Sequence, residues 1–239
     1  MTTTTHSTQR AQVPQGEGAA KPRPSARTHA VGGFVFVAIE VACIAIQGGA
    51  TPSRESSAAT IAAYFRDHDG RVELSEVLAA LGIAAVLWWF GGLWELLRSN
   101  DSEPAGLAVI AAVGLATGLA LGLVDISLFA TAGLGAHVLN DSSLVLLYDT
   151  STAAILVSGI GIAVFVGATC VANVRIHVLP AWTNYAGWAA AGTFLVGVVG
   201  VGSRADALLL IGYAAFLAWC TWIIAVSVSM FGPTRRTSG

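Results

Sequence analysis

The residues best placed to do chemistry are carboxylates set in long apolar runs. An acid at the centre of a bilayer costs at least a few kcal/mol unless it is paired or protonated. Glu40 stands nine positions after Val31 in the first such run. At 1.5 Å per residue that is about 14 Å along a helix, close to the bilayer midplane. Cys43 and Gln47 follow at i+3 and i+7, so all three share one helical face, which should point inward. No apolar run holds a Lys or Arg at midplane depth. Glu40 is therefore expected to be protonated much of the time, hydrogen-bonded to a backbone carbonyl or a hydroxyl of a neighbouring helix.

A second constellation lies in the third run. Gly114, Gly118 and Gly122 make two overlapping G-x-x-x-G steps, and Asp125 continues the stripe at i+3 from Gly122. Such a glycine face lets a helix of the bundle, or of a second copy, approach closely, and it draws Asp125 into that contact. Twenty residues beyond Ala105, Asp125 is about 30 Å along the axis and is expected near the outer boundary, wetter than Glu40. Gln47, Ser127, His137, Asp149, Thr150, Ser151 and Thr152 are its expected neighbours in a polar vestibule. Glu40, Gln47 and Asp125 form the candidate intramembrane polar site.

The remaining ionisable groups read as structural. Glu95 precedes Arg98 by three residues, a spacing that explains it as a local ion pair. Asp149 is expected to open the fourth helix, where a carboxylate complements the dipole and caps free N–H groups. Cys43, Cys170 and Cys220 are odd in number, have no C-x-x-C spacing and all lie in apolar runs, which indicates small core residues and neither disulfides nor zinc. Trp94, Trp182 and Trp188 sit where helices meet the membrane interface. Trp88 and Trp89 lie deeper, as fillers facing lipid or a glycine-rich neighbour. Haem needs axial ligands, and His29 and His177 both fall at helix ends, so no cofactor is expected. No phosphate-cradling loop, nucleophile elbow or H-E-x-x-H is present, and no enzymatic activity is expected.

The elements that carry these residues follow from composition. Hydrophobic residues make up 55% of the chain and charged residues 11%, against roughly a quarter charged in a soluble domain. The net charge of −2 gives no basic excess for nucleic acid. Six runs, Ala30–Ala50, Glu76–Leu97, Ala105–Ala130, Asp149–Val174, Ala181–Val201 and Ala205–Phe231, are each about long enough to cross a hydrocarbon layer of roughly 30 Å. They are continuously apolar and do not alternate, which excludes a β-barrel. The fold class is therefore all-α: a polytopic bundle of six transmembrane helices over residues 30–231, whose solvent is lipid.

Breaks at Gly48, Gly49 and Pro52, Asn100 to Pro104, Asn140 to Ser143, Pro180, and Gly232 with Pro233 separate the runs. Residues 1–29 read as a disordered cytoplasmic tail and residues 232–239 as a short one. Between the first two spans, Ser56 or Ser57 is expected to cap a short helix bearing Ala58, Ile61, Ala62 and Phe65. This connector should lie on the outer face with its apolar side on lipid or neighbouring helices. Gly48 and Ala50 before Thr51 resemble a signal-peptide cleavage site, but Glu40 in the middle of the run argues that the first helix is retained.

Orientation follows from the basic residues. Arg10, Lys21, Arg23, Arg27, Arg98, Arg175, Arg235 and Arg236 fall on one side, and Arg54, Arg66, Arg71 and Arg204 on the other. Eight against four places both termini in the cytoplasm. The two halves show no inverted repeat of the kind that marks many transporters.

Ala63-Tyr64-Phe65, Trp89-Phe90-Gly91-Gly92-Leu93 through Leu96-Leu97-Arg98, the glycine-rich third helix, and Leu179-Pro180-Ala181-Trp182 through Gly187-Trp188 carry a resemblance. Over Gly32 to Met230 the chain resembles a family of bacterial six-helix membrane proteins known as a domain of unknown function. The resemblance implies architecture and brings no substrate, cofactor or catalytic residue. One Lys against eleven Arg, with abundant Ala and Gly, fits a GC-rich bacterial genome. The expectation is a multi-pass protein of a bacterial cytoplasmic membrane. Its first functional reading is a non-catalytic component, alone or with copies of itself or other membrane subunits. The alternatives are a proton- or cation-coupled solute carrier using Glu40 and Asp125, and an intramembrane redox protein.

Overall fold

The computed structural model describes residues 24–47, 51–98, 105–202 and 206–231. Six helices cover almost all of them: α1 (Pro24–Gln47), α2 (Ala58–Leu97), α3 (Ala105–Leu134), α4 (Asp141–Ile176), α5 (Ala181–Val198) and α6 (Asp206–Phe231), with a 3-10 turn at Val199–Gly202. Each of the six is long and apolar enough to cross a membrane, and no strand occurs among the described residues. The protein is a multi-pass transmembrane helical bundle. The expected breaks at Gly48, Gly49, Asn100 to Pro104, Gly232 and Pro233 lie outside the described residues.

Three element boundaries differ from expectation. The first helix begins at Pro24, inside the segment read as a tail. Proline suits a first helical position, because its missing N–H is one that has no partner there anyway. The connector and second span are one helix of 40 residues, kinked at His68, where φ is −130° and ψ 17°. Ser57 does cap it, accepting from the Thr60 N–H. At about 60 Å this helix is twice the hydrocarbon thickness, so its first turns stand beyond the bilayer. The fourth helix starts at Asp141 with Asn140 as cap, its side-chain oxygen accepting from the Ser143 N–H. Asp149 consequently lies two turns inside α4 and caps nothing.

The helices pack antiparallel in sequence, and α6 closes back on α1. Phe36 and Glu40 oppose Gly82, while Cys43 and Gln47 oppose Ser75, which sets the α1–α2 register. The α3–α4 contact is the most extensive and depends on missing side chains. A Cβ on Gly114 would sit 2.7 Å from the Phe165 nitrogen, and one on Gly118 2.7 Å from Ile162 Cδ1. One on Gly161 would collide with the Gly118 backbone. Gly122 differs, since a Cβ there meets nothing within 4 Å. The glycine stripe is thus a helix contact over two of its three members and opens into space at the third.

Two apolar cores result. The larger fills the half of the bundle near the chain termini, around Trp89, Leu93, Leu115, Phe165, Trp222 and Ile223. Here Trp89, Phe165 and Trp222 meet edge to face, with ring centroids 5.6–6.4 Å apart. The smaller core joins the first turns of α2 to the far ends of α3 and α4 through Ile61, Phe65, Val72, Phe129, Leu144 and Tyr148. Its rim is polar: Arg66 donates to the Ala136 carbonyl and to Asp141, and His137 pairs with Asp69. The apolar face of the connector therefore rests on neighbouring helices.

Candidate functional site

The helical period puts Phe36, Glu40, Cys43 and Gln47 on one face of α1, and all four line a cavity of about 610 Å³ between the two cores. Every helix supplies wall residues: Ser75 and Glu76 from α2, Gly122 and Asp125 from α3, Tyr148 and Ser151 from α4, Phe194 from α5, Tyr213 and Trp219 from α6. Glu40 and Gln47 of α1 and Asp125 of α3, far from them in sequence, thus share one cavity. Glu76 joins them. Three carboxyl groups from three helices face the same space, and none of the described residues lining it is basic.

Two of the three acids are held by the protein. Glu76 is 8% exposed and accepts from the Gln47 amide at 3.2 Å. The same amide donates to Ser75 Oγ at 3.0 Å, and Ser75 donates in turn to the Val72 carbonyl at 2.8 Å. Cys43 Sγ donates to the Ser75 carbonyl, so α1 and α2 are stitched along the cavity wall. Asp125 accepts a short bond of 2.5 Å from Ser151 Oγ on α4. Glu40 differs from both. Its carboxylate lies against Gly82, 3.2 Å from where a Cβ would stand, and makes no hydrogen bond to any described residue. Among the described residues no carbonyl or hydroxyl takes the expected role, and the α2 position facing Glu40 is a glycine, with no side chain to offer.

Among the described residues no three His, Cys, Asp or Glu side chains are arranged to hold a metal ion. The acids are instead distributed over the walls, with Glu76 in electrostatic reach of both Glu40 and Asp125. This arrangement can exchange protons or accommodate positive charge.

The described part of the α1–α2 connection, from Thr51 to Ser57, straps one wall of the cavity. Thr51, Pro52 and Ser53 form part of the wall, the Tyr148 hydroxyl donates to the Pro52 carbonyl, and Thr51 Oγ1 lies 3.4 Å from the Tyr213 hydroxyl. Arg54, 8% exposed, reaches Asp149 of α4 and the Gly200 carbonyl, each at 3.5 Å. Asp149 therefore anchors the strap.

The vestibule expected around Asp125 is only partly assembled. Gln47, Ser151 and Thr152 line the cavity. Ser127 and Thr150 are exposed and donate to carbonyls of their own helices. His137 lies on the α3–α4 turn, paired with Asp69. Asp125 is not the wetter acid either: it and Glu40 are both half-buried. Elsewhere Arg98 stands over the Trp94 ring, 5.4 Å from its centroid. Trp88 faces outward and Trp89 is fully buried against Gly33. Cys43, Cys170 and Cys220 are all buried.

Glu76 is the residue that sequence reasoning passed over, because it stood at the expected start of a span. The available signal was its register. Val72, Glu76, Ala79 and Ile83 recur at helical spacing, so the acid falls within a stripe that continues into the apolar core. No protein family matches the chain, and no curated protein and no solved structure matches it.

Proposed function

We propose that the chain is a membrane carrier that binds a proton or small cation at Glu40, assisted by Glu76 and Asp125, and couples its passage to that of a small solute. The supporting observation is that Glu40 faces the cavity without a hydrogen-bond partner among the described residues, while the cavity offers it no basic neighbour. In a bilayer such a carboxylate is costly and is retained where it meets a proton, an ion or a wet pathway. No covalent step is involved, and no enzymatic activity is assigned. The basic-residue bias supports an orientation with both termini in the cytoplasm, in which the strap faces outward.

The test is flux. Purified protein in liposomes, loaded with a pH-sensitive dye, should move protons when a proton gradient or an opposing cation gradient is imposed. Glu40→Gln should abolish the flux while keeping the elution profile and helical content of the parent.

A second reading is favoured by the way Glu76 and Asp125 are satisfied, as structural acids are, by Gln47 and Ser151. In that reading the protein is a non-catalytic membrane component. Parent and Glu40→Gln liposomes would then be equally tight.

A further inference from the structure

The size and wall chemistry of the cavity say more about its occupant than its acids do. At about 610 Å³ it lies within the roughly 300–1,000 Å³ of sites for drug-sized ligands, far above the needs of a bare ion. Among the described residues the acids do not converge into a metal cage. Of the three acids only Glu40 lacks a protein hydrogen bond among the described residues, so the site offers one uncommitted carboxyl group.

The surroundings of Glu40 are aromatic. Phe36 lies one turn before Glu40 on the same face and packs on Trp219, with ring centroids 5.1 Å apart. Phe194 and Phe216 contact the same indole at 6.3 and 6.2 Å. All four rings line the cavity. A carboxyl group and a cluster of aromatic rings lining one cavity are the combination that attracts a weakly hydrated cation, through charge from the one and the ring quadrupole from the other.

We propose that the cavity binds a monovalent organic cation with an apolar body, a protonated or quaternary amine or its phosphonium analogue, with Glu40 as counter-ion and the Phe36–Trp219 cluster as the wall receiving the apolar groups. This rests on the reading of the cavity as a cation site, and it specifies that the cation is itself the solute. Where Glu40 is protonated beforehand, binding releases that proton to solvent as the cation takes its place.

The experiment is equilibrium binding of tetraphenylphosphonium to the full-length protein in detergent, followed by calorimetry and by quenching of tryptophan fluorescence. Triphenylphosphine oxide serves as the neutral probe of similar size. Saturable binding of one cation per chain is expected, with the neutral probe weaker by about tenfold or more. Glu40→Gln should weaken the cation to the level of the neutral probe. Gly122→Leu, which fills open space in the cavity wall, should block both, and it keeps the test decisive if Glu40→Gln fails to fold. Equal affinity for the two probes, affinity unchanged in Glu40→Gln, or binding unaffected by Gly122→Leu would overturn the proposal. So would a tightly retained phospholipid that the cation does not displace. Binding without flux would leave this inference standing and remove the carrier; proton flux without binding would do the reverse.

Discussion

At the scale of single residues, three acids in one cavity are told apart by what faces them. Asp125 faces a serine hydroxyl, Glu76 a glutamine amide and Glu40 a glycine. Removing the hydroxyl in Ser151→Ala leaves Asp125 without its α4 partner. The expected loss is about 1–2 kcal/mol, read as a lower thermal midpoint in detergent. Glu40→Gln has no such hydrogen bond to lose, so its midpoint should stay within about 0.5 kcal/mol of the parent while flux disappears. The depth of Glu40 and the face it shares with Gln47 are local properties of one helix and were legible in the sequence. That Glu76 and Asp125 stand opposite was not, because it depends on the register of α1 against α2 and of α3 against α4.

At the scale of elements, the glycine stripe illustrates how far a motif carries. The G-x-x-x-G steps correctly announced a close helix contact, but they could not say where it ends. Gly118→Leu drives a side chain into α4 and should cost about 1–3 kcal/mol or prevent folding, whereas Gly122→Ala meets no atom within 4 Å and should be neutral. Thermal unfolding of the two variants side by side separates these outcomes. The strap is a second element-scale device. Arg54→Ala removes its ion pair to Asp149 and should destabilise by about 1–3 kcal/mol. It should also speed protease cleavage between Thr51 and Ser57, measured by the appearance of the two fragments on a gel. The sequence assigned Asp149 to a helix start because Asn140 to Ser143 looks like a break. Those residues instead cap a longer helix, and the surplus turns join the first turns of α2 in the smaller core.

At the scale of the whole molecule, the bundle is stratified. An apolar core near the termini and a smaller one near the α1–α2 loop flank a largely apolar cavity into which three acids are set. The first core lies towards one end of the cavity, while Thr51, Pro52 and Ser53 of the strap form part of its wall at the other. If both termini are cytoplasmic, a fluorescent protein fused to the C-terminus should light up in bacteria, and alkaline phosphatase fused there should stay inactive. The opposite pair of results would invert the bundle and turn the strap to the cytoplasm.

The sequence alone determined that this chain dissolves in lipid as six helices, because hydrophobic length and charge depletion are sums over consecutive residues and need no knowledge of contacts. It also determined which face of α1 is polar, since 3.6 residues per turn is a local rule. Only the tertiary structure decided that Glu40, Glu76 and Asp125 surround one cavity, that Gly122 opens onto it, and that Arg54 straps it to Asp149. Those are relations between helices far apart in the chain. Their rotation and register are set by packing, through which glycines let backbones meet and which aromatic rings hold them apart, and no single helix contains that information.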